Sequence, residues 1–199
     1  MRKLPFDEGY LLGLLIGDGS IIMEHGEPRF RLYTTNGVYI EWLDSLFGDF
    51  VDRVERNDYD YRGDNRAAFE LFSKPHPRIE YYAEIYDNDK MYPLPKNTGP
   101  SPGMVKMWHA SDGTLNWPYG AQNPTLQLAT DSKHPVEQKY AELFAEIGVE
   151  MKSSTKQFYF SVDDTDKLLS YMGHAVPGFE YKWETSSEEM YKRVKEFSG

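Results

Sequence analysis

Two stretches of this chain carry the same apolar run closed by an acid and a glycine, and that duplication restricts the fold more than any other feature. The first is Tyr10-Leu11-Leu12-Gly13-Leu14-Leu15-Ile16-Gly17-Asp18-Gly19, and the second, looser copy is Val105-Lys106-Met107-Trp108-His109-Ala110-Ser111-Asp112-Gly113. Asp7 stands where an N-cap belongs for the first copy, and Ser101-Pro102 supplies the second with a cap and a helix-favouring first residue. Both copies read as short helices with a carboxylate at the C-terminal end, released by glycine. A helix C-terminus carries partial negative charge, so an acid there calls for a compensating cation. Two such acids brought together repel, and a divalent metal is the usual remedy.

The segments downstream of the two copies also repeat. In the first half, residues 20–23 start a strand and 24–27 make a turn. Residues 28–33 then alternate, with Arg29 and Arg31 on one face and Phe30 and Leu32 on the other. Residues 38–50 have helical spacing behind Asn36 as a cap. Residues 51–56 and 67–73 read as a hairpin around a polar loop at 57–66, and 77–85 as a helix. Residues 86–100, rich in Pro, Asn and Asp, read as the linker. The second half gives a strand at 114–115, a turn at 116–123 and a strand at 124–130. A helix at 135–147, strands at 149–153 and 157–162 and a helix at 166–172 complete it. The acids stand 94 residues apart, Pro28 and Pro124 stand 96 apart, and Phe47 and Phe144 stand 97 apart, as a duplication requires. Each half reads αββαββα, with a charged amphipathic helix expected at 183–197. The expected organisation is an N-terminal half at 1–90, a linker at 91–101 and a C-terminal half at 102–199. The signature helices, apolar on most sides, are expected to pack together at a pseudo-twofold axis through Gly13 and Gly17.

Composition bounds the chemistry. With 199 residues there is material for one large or two small domains, and with no cysteine there is neither a disulfide nor a thiolate metal site. Acids interrupt the basic N-terminus before any apolar stretch long enough for a signal peptide, and no run is long enough to span a membrane, so a soluble intracellular protein, in cytoplasm or nucleoid, is expected. A net charge of −10 argues against a non-specific nucleic-acid coat, but it leaves room for a local basic groove.

At this point the chain resembles the LAGLIDADG homing endonucleases in their single-chain, two-motif form. The first motif matches the family pattern at Leu11, Gly13, Leu14, Asp18 and Gly19. The second resembles the variant with a Trp after the early apolar residues and a closing Asp-Gly, here Trp108 and Asp112-Gly113. Tyr92-Pro93-Leu94-Pro95-Lys96-Asn97, the stretch 126–132, and Pro177 with Tyr181-Lys182 add further echoes. Met107 and Ser111 depart from the small residues of the ideal second motif. The resemblance implies an α+β fold of two pseudo-twofold-related αββαββα halves with saddle-shaped antiparallel sheets.

It also implies a chemistry. Asp18 and Asp112, with the carbonyls of Gly17 and Ser111, are expected to hold Mg²⁺, whose preference for hard oxygen ligands they suit. The expected reaction is hydrolysis of both strands of a long, specific double-stranded DNA site across the minor groove, leaving 3′ overhangs, by a monomeric protein. Lys74 occupies the place of a basic catalytic residue after the fourth strand. The matching stretch of the second half, Phe160-Ser161-Val162-Asp163, has no lysine, so either the two halves are expected to differ in efficiency or another residue, Gln157, substitutes. Arg29, Arg31, Arg53, Arg56, Arg62 and Arg66 in the first half, and Thr125, Gln127, Lys152 and Lys156 in the second, are the expected DNA contacts. The competing class is a non-cleaving member of the same family, an RNA maturase or a DNA-binding regulator. A plain α+β protein is a third. With no nucleophile at the start and no closing Asn, a free-standing product encoded by an intron or a phage is expected rather than an intein.

Overall fold

The structure is a computed structural model and describes residues 3–86, 94–95, 98–117, 123–129, 137–154 and 156–186. These fall into two compact units, Met1–Thr98 and Gly99–Gly199. The first runs α1 (Glu8–Ile16), β1 (Gly19–Glu24), β2 (Glu27–Thr34), α2 (Gly37–Phe47), β3 (Val51–Tyr61), β4 (Asp64–Ser73) and α3 (Pro77–Ala83). The second repeats the order as α4 (Pro102–Asp112), β5 (Gly113–Asn116), β6 (Thr125–Ala129), α5 (Glu137–Ala145), β7 (Lys152–Ser154), β8 (Gln157–Tyr159) and α6 (Val162–Met172). Each unit has one four-stranded antiparallel sheet, ordered β1-β2-β4-β3 and β5-β6-β8-β7.

Local chemistry sets these elements. Asp7 accepts from the Gly9 N–H at 2.9 Å, Asn36 from Tyr39 at 3.1 Å and Ser101 from Met104 at 3.2 Å, so three helices start at side-chain caps. His25 and Gly26 both have positive φ, which is the tight two-residue turn that joins β1 to β2.

In the first unit the core is one face of the sheet, with Phe30, Leu32 and Leu71 fully buried beneath Leu43, Phe47, Ile79 and Tyr82 of α2 and α3. In the second, Trp108 of α4 packs on Tyr140 and Phe144 of α5 and edge-on against Phe158 of β8, with ring centroids 5.0, 6.2 and 5.9 Å away. The strands are pinned alike in both units: Ser73 Oγ accepts from the Phe30 N–H at 2.9 Å, and Thr165 Oγ1 from the Leu126 N–H at 2.8 Å.

The structure departs from the sequence reading in several places, among them the closing hairpin, whose strands cover 152–154 and 157–159 rather than 149–153 and 157–162. The polar stretch 57–66 is not a loop. β3 and β4 stay paired through Tyr61↔Asp64, and Arg62-Gly63, both at positive φ, make the whole turn. Polar side chains on both faces conceal such a strand from any search for alternation. α6 begins one turn earlier than expected because Ser161 caps it, accepting from Asp164 N at 3.1 Å. The C-terminal helix does not begin at Trp183: residues 183–186 are not helical, after a 3-10 turn at Glu180–Lys182, and 187–199 lie outside the described residues. Finally, α1 stops at Ile16, so Asp18 lies two residues beyond the helix, whereas Asp112 is the last residue of α4. Residues 87–93 and 96–97 of the expected linker region, 118–122 of the 116–123 turn and residues 130–136 also lie outside the described residues.

Candidate functional site

The two acids stand in unlike settings. Asp18 is exposed in the turn between α1 and β1, where Gly17 N–H donates to Gly13 O at 3.1 Å and Tyr86 Oη donates to Gly19 O at 3.2 Å. A Cβ on Gly19 would stand 2.6 Å from the Phe30 ring and 2.9 Å from the Leu14 carbonyl. The glycine after the acid is therefore imposed by close packing of helix end on sheet. Gly113 answers the same need, since a side chain there would run into His109. Asp112 is half-exposed.

Beneath Asp112 lies a residue to which the sequence reading gave no role. Lys182 is nearly buried, and its ammonium donates to Ala110 O at 2.6 Å, Ser111 O at 2.9 Å and His109 O at 3.4 Å. It is the cation that the C-terminus of α4 calls for, supplied by the 3-10 turn at 180–182. The same turn grips α4 from its backbone side. His109 Nε2 donates to the Lys182 carbonyl at 2.8 Å, and the His109 ring meets Trp183 edge-on at 4.6 Å. Burial pushes the His109 imidazole down to about 4, so it stays neutral with its proton on Nε2. Only the motif Tyr181-Lys182 hinted at this arrangement.

Lys182 also bears on the expected ligands. The Ser111 carbonyl already accepts an ammonium proton, and the positive charge beside it disfavours a metal cation at that oxygen. The two carboxylates and the Gly17 carbonyl are the other expected donors, hard oxygens suited to Mg²⁺. Among the described residues no group of three His, Asp or Glu converges.

Strand register identifies the position of the second unit that matches Lys74. Lys74 is exposed just past β4, three residues after Leu71, which pairs with Leu32. In the second unit Phe158 pairs with Leu128 in the same register, so the position matching Lys74 is Ser161, the cap of α6. Gln157 pairs with Ala129 and stands where Glu70 stands in the first unit, at the other end of its strand.

Cross-strand partners share a face. On the solvent face of the first sheet Arg29 and Arg31 join Glu24, Arg53, Glu55, Glu70, Phe72 and Arg66, whereas Arg56 falls on the opposite face, beside Asp58 at 2.8 Å. Arg62 sits in the hairpin turn, and Arg62 and Arg66 flank the Tyr61 ring. The face is not a bare basic surface. Glu24 reaches Arg29 at 2.9 Å and Arg53 at 2.7 Å, and Glu70 reaches Arg31 at 3.4 Å. The hydrogen bond from Arg53 holds the Glu24 carboxyl below the usual range, and in return Glu24 raises Arg53. The corresponding face of the second sheet presents Thr114, Asn116, Thr125, Gln127, Lys152, Gln157 and Tyr159, with Lys156 exposed in the β7–β8 turn. It is polar and carries little charge.

Solved structures with this arrangement exist. The homing endonuclease I-WcaI bound to its DNA recognition sequence superposes with a TM-score of 0.77 at 19% identity, over 94% of this chain and 89% of that one. The chain has the fold of the LAGLIDADG homing endonucleases. The LAGLIDADG homing endonuclease I-GzeII in complex with its DNA target superposes with a TM-score of 0.51 at 11% identity, over 97% and 92% of the two chains. The N-terminal LAGLIDADG domain of DUF199/WhiA gives 0.53 at 10% identity, over 96% and 90%. No protein-family model and no curated protein matches the sequence. In the LAGLIDADG fold of this chain, α1 and α4 are the motif helices, and each leads through its acid and glycine into the first strand of a sheet. No helix among the described residues is long and apolar enough to cross a membrane.

Proposed function

We propose that this chain is a site-specific, metal-dependent DNA endonuclease of the LAGLIDADG kind, acting as a monomer on a long double-stranded target and cutting both strands across the minor groove to leave 3′ overhangs. The observation that carries the reading is the presence of both carboxylates, Asp18 just past the end of α1 and Asp112 at the last residue of α4, in two like units, each followed by a glycine that packing requires.

Asp18 and Asp112, with the Gly17 carbonyl, are the proposed metal ligands. Mg²⁺ held there would supply Lewis-acid stabilisation of the phosphate and make the attacking water easier to deprotonate. The protein's own part is to hold the acids and the DNA. Lys182 neutralises the end of α4, and with His109 and Trp183 it fixes the last helical turn that carries Asp112; we assign it a positioning role. Lys74, exposed and with no side-chain partner among the described residues, is free to approach a phosphate or order water in the first half. Gln157 is reassigned to the polar sheet face with Thr125 and Gln127. The first sheet, through Arg29, Arg31, Arg53 and Arg66, and the second, through polar side chains, are the proposed base-reading surfaces in the major groove. We extend the same reading to the organisation of the chain: two halves, 1–90 and 102–199, joined by a linker at 91–101.

The test is selection of cleaved sequences from a randomised duplex library with Mg²⁺, beside an Asp18→Asn/Asp112→Asn chain. Enrichment of one long, roughly pseudo-palindromic site by the intact chain alone supports the reading. Binding without cutting by the intact chain replaces it with the non-cleaving alternative, for which the similarity to a LAGLIDADG domain not named as an endonuclease is the favouring observation. Enrichment of nothing directs the search to RNA.

A further inference from the structure

Four charges alternate on the solvent face of the first sheet: Arg29, Glu24, Arg53 and Asp52. One Glu24 oxygen lies 2.9 Å from Arg29 Nε, and the other accepts from Arg53 Nη2 at 2.7 Å. Asp52 is thrown out of register by the bulge between Val51 and Arg53, and there it accepts from Arg29 Nη1 at 2.7 Å and from Arg53 Nη1 at 3.3 Å. Arg29 Nη1 also donates to Ser73 O at 3.2 Å. Arg53 Nε donates to Glu55 at 2.6 Å, and its guanidinium lies on the Phe72 ring, 3.9 Å from the centroid. The Arg29 side chain is only 13% exposed.

These guanidiniums are thus committed, and the group of four is formally neutral. A phosphate approaching it meets two carboxylates. To take either arginine it must break charge-assisted hydrogen bonds and leave Glu24 with one cation in place of two. A base edge is neutral. Guanine can accept from an outward N–H without evicting the carboxylate, and a carboxylate at this position can itself accept from the cytosine amino group. The cluster therefore opposes backbone contacts while permitting base contacts. Arg31, 41% exposed with Glu70 at 3.4 Å, carries no such double clamp.

We propose that Glu24 is a specificity determinant of the interface: it ties Arg29 and Arg53 into a neutral cluster that suppresses their binding to phosphates and reserves them for base edges. The inference rests on the reading of this chain as a DNA-binding protein.

The experiment compares the whole wild-type chain with Glu24→Gln and Asp52→Asn. Glu41→Gln, at an exposed position of α2, serves as a control of equal charge change away from the sheet. Binding is measured to a duplex enriched by the selection and to a scrambled duplex of equal length, across a salt series, with thermal melting in parallel. Glu24→Gln is expected to tighten binding to the scrambled duplex about three- to ten-fold at ~0.1 M salt. It should steepen the logarithmic salt slope by about one to two and reduce the target-to-scrambled ratio. Asp52→Asn should move the same way, and Glu41→Gln should move none of these. A Glu24→Gln chain indistinguishable from Glu41→Gln overturns the proposal. So do Glu24→Gln and Asp52→Asn chains that melt lower and bind both duplexes more weakly, which would assign the cluster to stability alone. A wild-type chain that binds neither duplex overturns the DNA reading, and this inference with it.

Discussion

Lys182 donates to the carbonyl of Ala110 at 2.6 Å, across 72 residues of sequence, and by that bond the turn at 180–182 closes the end of the helix that carries Asp112. Replacing Lys182 by Met keeps the aliphatic stem but takes the ammonium donor from the Ala110 and Ser111 carbonyls, while His109 O keeps the Gly113 N–H. The expected loss is about 1–3 kcal/mol of stability, read by chemical denaturation, with Lys182→Arg recovering part of it. A Lys182→Met chain as stable as wild type would remove the latch from the account.

Asp18 is exposed and lies beyond the end of α1, so its charge contributes little to packing. Asp18→Asn is expected to lower cleavage by at least about 10²-fold while leaving affinity for the target within a few-fold of wild type. Gel-shift and cleavage assays on the same duplex separate the two. Loss of binding alongside cleavage would make the acid structural.

Gly19 has no room for a methyl group between the Phe30 ring and the Leu14 carbonyl. Gly19→Ala should cost about 1–3 kcal/mol through overpacking, whereas Gly26→Ala, with nothing within 4 Å but at positive φ, should cost only its backbone strain of roughly 1 kcal/mol. The order of the two melting temperatures is the check.

His109 is held near 4 by burial, whereas the unfolded chain takes up its proton near the ordinary histidine value of 6.5. Between those values the unfolded state binds more protons, so stability rises with pH through this window. The contribution is complete above about 6.5 and is lost as pH falls towards 4, amounting to about 3 kcal/mol at most. Unfolding free energies at pH 7 and pH 5, for wild type and for His109→Gln, should show the wild-type chain losing more on acidification. Equal losses would place the sensitivity elsewhere.

The duplicated αββαββα order, the caps at Asp7, Asn36 and Ser101, the face shared by Arg29 and Arg31, and the glycine after each acid are legible in the linear sequence. All of these depend on spacing, propensity and hydrogen bonds within a few residues, which a linear reading can see. Folding brought in what the sequence did not show: Arg29 and Arg53 share Glu24, Arg56 faces the other way, Gln157 lies on the sheet face with Thr125 and Gln127, and the cation at the end of α4 is Lys182. Each of these depends on strand register, or on a partner far along the chain. Electrostatic and hydrogen-bonding energies fall off with distance in space, and distance along the sequence does not report it.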